Sequence, residues 1–291
     1  MTISPFDQFG PAIPASPVVL SVPHAGRDYP AALRAALLAP MAAAQSLEDR
    51  HVDAVALAAL GAETMVVQRL ARAWIDLNRR EDERDPAVDD GAPMGVATPA
   101  GPAGAKLRSG LGLVPRRAGT WGDLWHRRWT DAEIAARIAS DHRPYHAALA
   151  SALAAARDRF GVAMLVDLHS MPPLTDARPA GIVIGDRHGT SAHPALARAV
   201  EAAAARAGIR TVRNHPYIGG HIVERHGRPA DGIHAVQIEI DRSLYLDRTF
   251  DRPAADGVAR IARVVRAAID AAVQAVGVSR PAVDPLPLAA E

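Results

Sequence analysis

The sequence predicts an α/β protein, built as a single domain around a mixed, mostly parallel sheet that helices flank. Short runs rich in β-branched residues alternate along the chain with longer segments whose apolar residues recur every three or four positions. This alternation is typical of parallel strands joined by crossover helices. The 291 residues show neither an internal repeat nor a marked change of composition, and α/β folds often reach this size as one unit.

Each element is predicted from its own pattern of apolar residues. Strands are expected at residues 17–23, 63–70, 72–78, 162–170, 181–186, 209–214 and 233–241. Helices are expected at residues 30–39, 47–61, 130–160 with an interruption near Pro144, 193–208 and 254–277. Two polar segments rich in glycine, residues 80–122 and 215–232, are predicted to be loops.

The domain boundaries follow from these elements. We expect residues 1–16 to be an N-terminal extension, residues 17–278 to form the single α/β domain, and residues 279–291 to be a flexible tail rich in proline. Hydrophobic residues make up 49% of the chain, which is enough for a large core.

Composition excludes several classes of function. The net charge of +1 gives no electrostatic reason to expect nucleic acid or an anionic membrane as partner. The absence of cysteine excludes disulfides, thiolate metal sites and cysteine nucleophiles. Neither a signal peptide nor an apolar run of membrane-spanning length is visible, so we expect a cytoplasmic protein. The oligomeric state is left open.

Four of the apolar runs end in polar side chains. The groups at these ends are His24, the Asp76–Arg79 segment, the Asp167–His169 segment and Glu239 with Asp241. Sites in open α/β sheets form outside the carboxyl ends of the strands. Two neutral imidazoles and a carboxylate are ligands that suit Zn²⁺, which lowers the pKa of water to about 7. The sequence therefore favours a metal hydrolase with one zinc ion.

A structural role is the alternative for each of these groups. A single histidine at a strand end is more commonly a hydrogen-bonded structural residue, and Asp76 or Asp167 alone is more commonly a turn or capping residue. The prediction therefore depends on finding four such endings in one chain.

Five stretches together resemble the N-formylglutamate amidohydrolases, also called N-formylglutamate deformylases. They read SVPHAG, EDRHVDA, WIDLNRR, VDLHS and YIGGHIVERHGRPADGIHAVQIEID, and the resemblance runs from about Val18 to Asp247. The family is similar in turn to the zinc carboxypeptidase and aspartoacylase superfamily. The resemblance implies a phosphorylase/hydrolase-like, zinc carboxypeptidase-like sheet and zinc-dependent cleavage of an amide.

The resemblance also implies roles for individual residues. His24 and His169 would be the imidazole ligands of the zinc ion. Asn78 and Arg79 would hold a carboxylate of the substrate. Glu239 would be the general base that activates water and then protonates the leaving amine.

The third metal ligand differs from the wider superfamily. That superfamily places a glutamate three residues after its first histidine, where this chain has Arg27, which cannot ligate a cation. The stretch SLEDRHVD offers Asp49, Asp53 and Glu48, and Asp28 is a further candidate. We favour Asp49 as the ligand, because it shares a predicted helix face with Asp53.

The remaining acidic residues have simpler expected roles. Asp53, Asp76 and Asp167 are expected to support the ligands by hydrogen bonds. Alternatively, Asp49 and Glu48 merely stabilise a helix N-terminus.

The stretch GGHIVERHGRP supplies further candidates. Gly219 and Gly220 would let the backbone approach a ligand closely, or simply form a turn. A second cation, Arg225 or Arg228, would bind a dicarboxylate or stabilise an oxyanion. His234 is expected to line the pocket.

The predicted function is hydrolysis of an N-formyl amino acid, with N-formyl-L-glutamate as substrate, in histidine breakdown. Alternatives are hydrolysis of another N-acyl amino acid or small peptide, a nucleophilic mechanism through Ser170, and a non-catalytic ligand-binding protein. The Ser170 mechanism lacks the G-x-S-x-G motif in this sequence.

Overall fold

The computed structural model describes residues 4–93 and 101–275. Seven strands form one sheet, which confirms the predicted single-domain α/β class. The strands are β1 (Phe6–Phe9), β2 (Val18–Val22), β3 (Thr64–Gln68), β4 (Ala163–Met171), β5 (Ile182–Gly185), β6 (Thr211–Arg213) and β7 (Ile233–Asp241).

The sheet is mixed and mostly parallel, as predicted. Its strand order is β1-β3-β2-β4-β7-β5-β6. The central strands β3, β2, β4 and β7 run parallel to one another. Strand β1 pairs antiparallel with β3, and β5 pairs antiparallel with β7 and parallel with β6. The carboxyl ends of β2, β4 and β7 therefore lie side by side.

Helices cover both faces of the sheet. They are α1 (Ala31–Ala36), α2 (Met41–Gln45), α3 (Val52–Ala59), α4 (Gly101–Arg108), α5 (Asp131–Arg137), α6 (Arg143–Phe160), α7 (Pro194–Arg206), α8 (His221–His226) and α9 (Ala255–Ala275). One hydrophobic core lies between the sheet and α3, α7 and α9, and a second lies on the side of α1, α2, α5, α6 and α8. Strands β2 and β4 are buried along their whole length because both of their faces are covered.

The predicted helical interruption near Pro144 is present. A short π-helix at Ile138–His142 separates α5 from α6, and Pro144 lies in the first turn of α6.

The predicted strand at residues 72–78 is wrong, because these residues form turns. Ala73, Ile75 and Leu77 are buried, which accounts for the apolar pattern that predicted a strand. Their backbone, however, does not join the sheet: Asp76 N–H donates to the carbonyl of Leu113, and Arg79 N–H donates to that of Asp76. The apolar run therefore belongs to a turn packed on the core.

The predicted helix at residues 47–61 begins later than expected, at Val52. His51 adopts a left-handed conformation with φ of 59°, which ends the preceding turn before the helix starts. Asp49 therefore lies in a turn and Asp53 in the helix, so the inference that both share one helix face is wrong.

Short elements lie inside three segments that were predicted to be irregular. Strand β1 belongs to the stretch expected to be an N-terminal extension, and it pairs with β3 at the edge of the sheet. Helices α4 and α8 lie in the two predicted loops. Helices of six to eight residues are too short to give a clear periodic pattern. The predicted tail at residues 279–291 lies outside the described residues.

Within residues 4–93 and 101–275, no helix is both long and apolar enough to cross a bilayer.

Candidate active site

A polar cavity of about 210 Å³ lies at the carboxyl ends of β2, β4 and β7. Strand β2 leads into His24, β4 carries His169, and β7 carries Glu239. The cavity is lined by these three residues and by Asp49, Asn78, Arg79, Arg72, Lys106, Ser170, Tyr217, Gln237 and Arg242, among others. This is the edge at which open α/β sheets form their sites.

His24 and His169, which lie 145 positions apart in the chain, converge on Asp49. Their ring centroids are 4.7 Å apart. Asp49 Oδ2 lies 2.9 Å from His169 Nδ1 and 3.5 Å from His24 Nδ1. One ligand atom from each of the three residues lies within 4.8 Å of the other two. All three side chains are buried.

The turn that carries Asp49 is attached to the end of β2. The backbone N–H of Asp49 donates to the carbonyl of His24 at 2.9 Å. This hydrogen bond holds the carboxylate beside the imidazole, although the two residues lie 25 positions apart.

Each histidine has a second carboxylate on its other ring nitrogen. Asp76 Oδ1 lies 2.7 Å from His24 Nε2, and Asp167 Oδ2 lies 2.9 Å from His169 Nε2. Carboxylates in this position fix the tautomer and the orientation of metal-ligating imidazoles. Ser21 on β2 donates to Asp167 Oδ1 at 2.7 Å and fixes this carboxylate in turn.

The acidic groups are held in their charged form. Burial alone would raise the pKa of Asp49, but the hydrogen bond from His169 and the nearby His24 bring it well below its usual value. Burial likewise opposes ionisation of Asp76, but Arg72 and His24 bring its pKa well below the usual value. The site therefore presents anionic oxygens beside two imidazoles.

His169 is affected in the opposite direction. Burial would lower its pKa, but Asp167 and Asp49 raise it well above the usual value. A cation that binds at Nδ1 must therefore displace a proton, so metal affinity at this site falls as the pH falls.

Glu239 lies beside this group and is buried. Burial raises its pKa to about 7; the nearby His169 acts against this shift and Asp49 adds to it. Gln237 Nε2 donates to Glu239 Oε1 at 2.6 Å. A carboxylate with a pKa near neutrality can both accept and return a proton, as a general base must.

Asn78 and Arg79 line the cavity, and protein groups hold both of them. The Asn78 amide donates to Gln237 Oε1 at 3.2 Å and accepts from the backbone of Ile222 at 2.8 Å. Arg79 donates to the carbonyl of Leu111 at 2.7 Å. Both side chains are therefore fixed before any substrate arrives.

Gly220 packs directly against Asn78. A Cβ atom at Gly220 would lie 2.3 Å from Asn78 Nδ2, so a larger residue does not fit unless Asn78 moves. The neighbouring Gly219 has φ of 101°, a conformation that favours glycine. The two glycines thus bring the backbone close to the amide that lines the cavity.

Two of the predicted substrate residues are not brought to this cavity. Arg225 is exposed on α8. His234 is the second residue of β7, five positions before Glu239, which places it about 16 Å away on the opposite face of the strand. It lies beside His193 instead. The alternative cation, Arg228, is exposed and pairs with Asp231.

The other acidic candidates lie outside the ligand group. Asp53 pairs with Arg27 at 2.6 Å. Glu48 accepts hydrogen bonds from Tyr29 and Arg50. Asp28 pairs with Arg69 at the surface. Of the four candidates, only Asp49 lies with the two histidines.

Three cavity cations were missed by the sequence analysis: Arg72, Lys106 and Arg242. Burial, together with Arg79 and Arg72, lowers the pKa of Lys106 to about 8. Their positions follow no motif, although Lys106 is the only lysine in the chain. With Arg79 they make four cationic side chains around one small cavity, which suits an anionic ligand.

Ser170 is not placed as a nucleophile would be. Its hydroxyl accepts from Arg242 Nε at 3.1 Å, whereas both ring nitrogens of His169 lie against carboxylates. A serine nucleophile needs a histidine base within hydrogen-bond reach.

Comparison with known proteins gives the family. The model of a family described as N-formylglutamate amidohydrolase matches residues 16–246. The chain belongs to this family. Membership confirms the resemblance drawn from the sequence, and the match includes the histidines, Asp49 and Glu239. The link to the zinc carboxypeptidase superfamily stays a prediction.

Two curated relatives of the family are similar over most of their length. The N-formylglutamate deformylase of Pseudomonas putida is 32% identical over 242 residues, which cover 80% of this chain and 83% of the relative. The protein of the same name from Pseudomonas aeruginosa is 32% identical over 238 residues, which cover 79% and 82%.

A solved structure of the family is similar as well. The N-formylglutamate amidohydrolase of Ralstonia eutropha superimposes with a TM-score of 0.81 at 33% identity, covering 94% of this chain and 97% of that one. A gene product of Agrobacterium tumefaciens shares the fold at 21% identity, with a TM-score of 0.63 and coverage of 94% and 95%.

Proposed function

We propose that the protein hydrolyses the amide of N-formyl-L-glutamate, releasing formate and L-glutamate. The observation that carries this proposal is the convergence of His24, Asp49 and His169 beside Glu239 in one cavity. The names of the two Pseudomonas relatives and the family model support the same reaction.

We infer that His24, Asp49 and His169 hold one divalent cation, with Zn²⁺ as the preferred ion. Two imidazoles and one carboxylate are a ligand set typical of catalytic zinc. His24 Nδ1 is buried and has no hydrogen-bond partner within the described residues, as expected of a nitrogen that ligates a cation. When bound, the ion supplies Lewis-acid polarisation of the formyl carbonyl.

Glu239 performs the proton transfers. As a carboxylate it accepts a proton from the attacking water, and as a carboxylic acid it gives that proton to the departing amine nitrogen. A pKa of about 7 lets the same group do both near neutral pH. Its hydrogen bond from Gln237 orients the carboxylate for this role.

The cations of the cavity bind the substrate. N-formyl-L-glutamate carries two carboxylates, and Arg79 and Lys106 line the same cavity as Glu239. Arg79 is held by the carbonyl of Leu111, whereas Lys106 reaches the cavity from α4. We assign carboxylate binding to these two side chains. The Asn78 amide, fixed by Gln237, borders the same space.

Activity of the purified protein tests the proposal. We expect formate release from N-formyl-L-glutamate, loss of activity with a chelator, and recovery with Zn²⁺. His24→Ala and His169→Ala should lose activity together with the ion that His24, Asp49 and His169 hold, whereas His188→Ala, which changes an exposed loop histidine, should keep both. Absence of formate release from the zinc-supplied protein would refute the proposal.

The substrate is tested by comparison. N-formyl-L-glutamate should give a higher kcat/KM than N-formyl-L-aspartate and N-acetyl-L-glutamate. If the protein prefers another acyl group, the reaction is still amide hydrolysis but the substrate is a different N-acyl amino acid.

A further inference from the structure

A second group of histidines lies beside the turn that carries Asn78 and Arg79. We call His142, His146 and His221 the second histidine cluster. His142 ends the π-helix, His146 lies in α6, and His221 begins α8. One ligand nitrogen from each lies within 4.8 Å of the other two. The ring centroids are 4.5 Å, 5.3 Å and 6.2 Å apart.

Two nitrogens of this cluster lack a partner. Nδ1 of His142 and Nδ1 of His221 are buried, and neither has a hydrogen-bond partner within the described residues. His142 is fully buried. A buried polar nitrogen without a partner is costly, and it requires an explanation.

Hydrogen bonds to backbone carbonyls set the tautomers of two members. Nε2 of His142 donates to the carbonyl of Arg79 at 2.9 Å, and Nε2 of His146 donates to that of Leu77 at 3.0 Å. Each Nδ1 is therefore unprotonated and carries a lone pair. That of His142 has no partner within the described residues, whereas that of His146 accepts a hydrogen bond from His226 Nε2 at 3.0 Å. A carbonyl on the far nitrogen is the arrangement that orients metal-ligating histidines.

Carboxylates flank both unpartnered nitrogens. Glu81 Oε1 lies 3.7 Å from His142 Nδ1, and Glu224 Oε2 lies 3.8 Å from His221 Nδ1. Glu81 also pairs with Arg143 and Glu224 with Arg187. The two acids supply negative charge, and further oxygen ligands, next to three neutral rings.

The cluster is neutral and has an entrance. Burial, with the cations nearby, lowers the pKa of His221 to about 4 and that of His146 well below its usual value, so both rings are in the form that binds metals. His221 and Glu224 line a cavity of about 360 Å³, which gives an ion a route to the nitrogens.

We propose that His142, His146 and His221 form a second site for a divalent cation such as Zn²⁺, separate from the His24–Asp49–His169 group. Two nitrogens bound to one tetrahedral Zn²⁺ lie about 3.3 Å apart, and the three ligand nitrogens of the cluster all lie within 4.8 Å of one another. Ligation by His146 Nδ1 replaces its hydrogen bond with His226 Nε2 at 3.0 Å.

Such a site has a structural consequence. Its two carbonyl partners belong to Leu77 and Arg79, on either side of Asn78. A cation there stiffens the turn that presents Asn78 and Arg79 to the catalytic cavity. Its role is therefore to position these residues, and it does not touch the substrate.

Zinc stoichiometry of metal-stripped protein tests the proposal. Calorimetric titration with Zn²⁺ should give two ions per chain for the natural protein and for the control His188→Ala. His221→Ala should bind one ion; this partly exposed ring has an unpartnered nitrogen, so its removal leaves the fold intact. His142→Ala, a second variant, should also bind one ion.

The outcomes separate this proposal from the proposed function. Loss of one ion in His221→Ala, with the other lost in His24→Ala, supports both. If His221→Ala binds one ion fewer than the natural protein and His24→Ala does not, the result supports the second site and contradicts the catalytic site. One ion lost only in His24→Ala, or no ion at all, overturns the second site and leaves the cluster a hydrogen-bonded packing motif.

Discussion

His169 and Glu239 are register partners in the pairing of β4 with β7. Two residues earlier in each strand, Asp167 and Gln237 are partners in the same register. Residues two apart on a strand share a face, so Asp167 and His169 lie on one side together with Gln237 and Glu239. The sheet backbone thus places a proton acceptor beside a candidate metal ligand without the help of a flexible loop.

The raised pKa of Glu239 predicts the pH dependence of catalysis. A general base works only when it is deprotonated. With a pKa of about 7, kcat/KM should rise with pH up to about 7 and then level, falling about tenfold per unit on the acid side. Glu239→Gln should lose about 10²- to 10⁴-fold in kcat while the protein stays folded.

The matched control for this variant is Glu201→Gln on α7, which removes a partly exposed carboxylate paired with Arg213. It should keep the natural profile. An unchanged kcat in Glu239→Gln would exclude this residue as the base.

The position of Asp49 predicts a sharp contrast with Asp53. Asp49→Asn removes the carboxylate between the two imidazoles, so zinc affinity should fall at least about tenfold. Asp53→Asn only removes a half-exposed ion pair with Arg27, which is worth about 1 kcal/mol or less. Zinc titration of the two variants checks this. Equal affinities, or a larger loss in Asp53→Asn, would place the third ligand elsewhere.

Lys106 predicts a substrate-specific change in KM. Lys106→Met removes a cation from the cavity, so KM for N-formyl-L-glutamate should rise about 10- to 100-fold with a small change in kcat. N-formyl-L-glutamine, which keeps the α-carboxylate but has a neutral side chain, should be much less affected. Arg108→Met, an exposed residue on the same helix, is the control and should behave as the natural protein. Equal effects on both substrates would show that Lys106 does not bind the side-chain carboxylate.

Gly220 predicts a loss of activity that exceeds the loss of stability. Its φ of −92° suits alanine, so Gly220→Ala carries no backbone strain, but the new Cβ pushes Asn78 out of place. We expect kcat/KM to fall at least about tenfold, the scale of a misplaced active-site group. Gly189→Ala provides the contrast: with φ of 82° and open space around it, this variant should lower the Tm and leave kcat/KM unchanged.

The sheet was largely predictable because its central strands are buried on both faces. Such strands read as continuous apolar runs, and β2, β4 and β7 lie close to the expected ranges. The histidines at the ends of these runs could be found for the same reason, since the parallel pairing of β2 with β4 brings His24 and His169 to one edge.

The residues that were misplaced lie outside regular elements. Asp76 and Asn78 were assigned to a strand because the turn that carries them contains buried apolar residues. Asp49 was assigned to a helix because the effect of His51 on the backbone is not visible in the sequence. Arg72 and Lys106 reach the cavity through tertiary packing of loops and a short helix. The spacing of residues in the sequence does not predict such contacts, whereas it does predict which residues share one face of a strand.

The cavity is built from two kinds of segment: the central strands of the sheet, and the loops and short helices that border it. The imidazoles and Glu239 belong to the central strands β2, β4 and β7 or their ends, while Lys106 and Tyr217 come from the surrounding α4 and the connection before α8. Buried strands tolerate few changes, but border segments accept replacement readily. New substrate preferences can therefore be engineered by exchanging the border segments while the reactive centre keeps its shape.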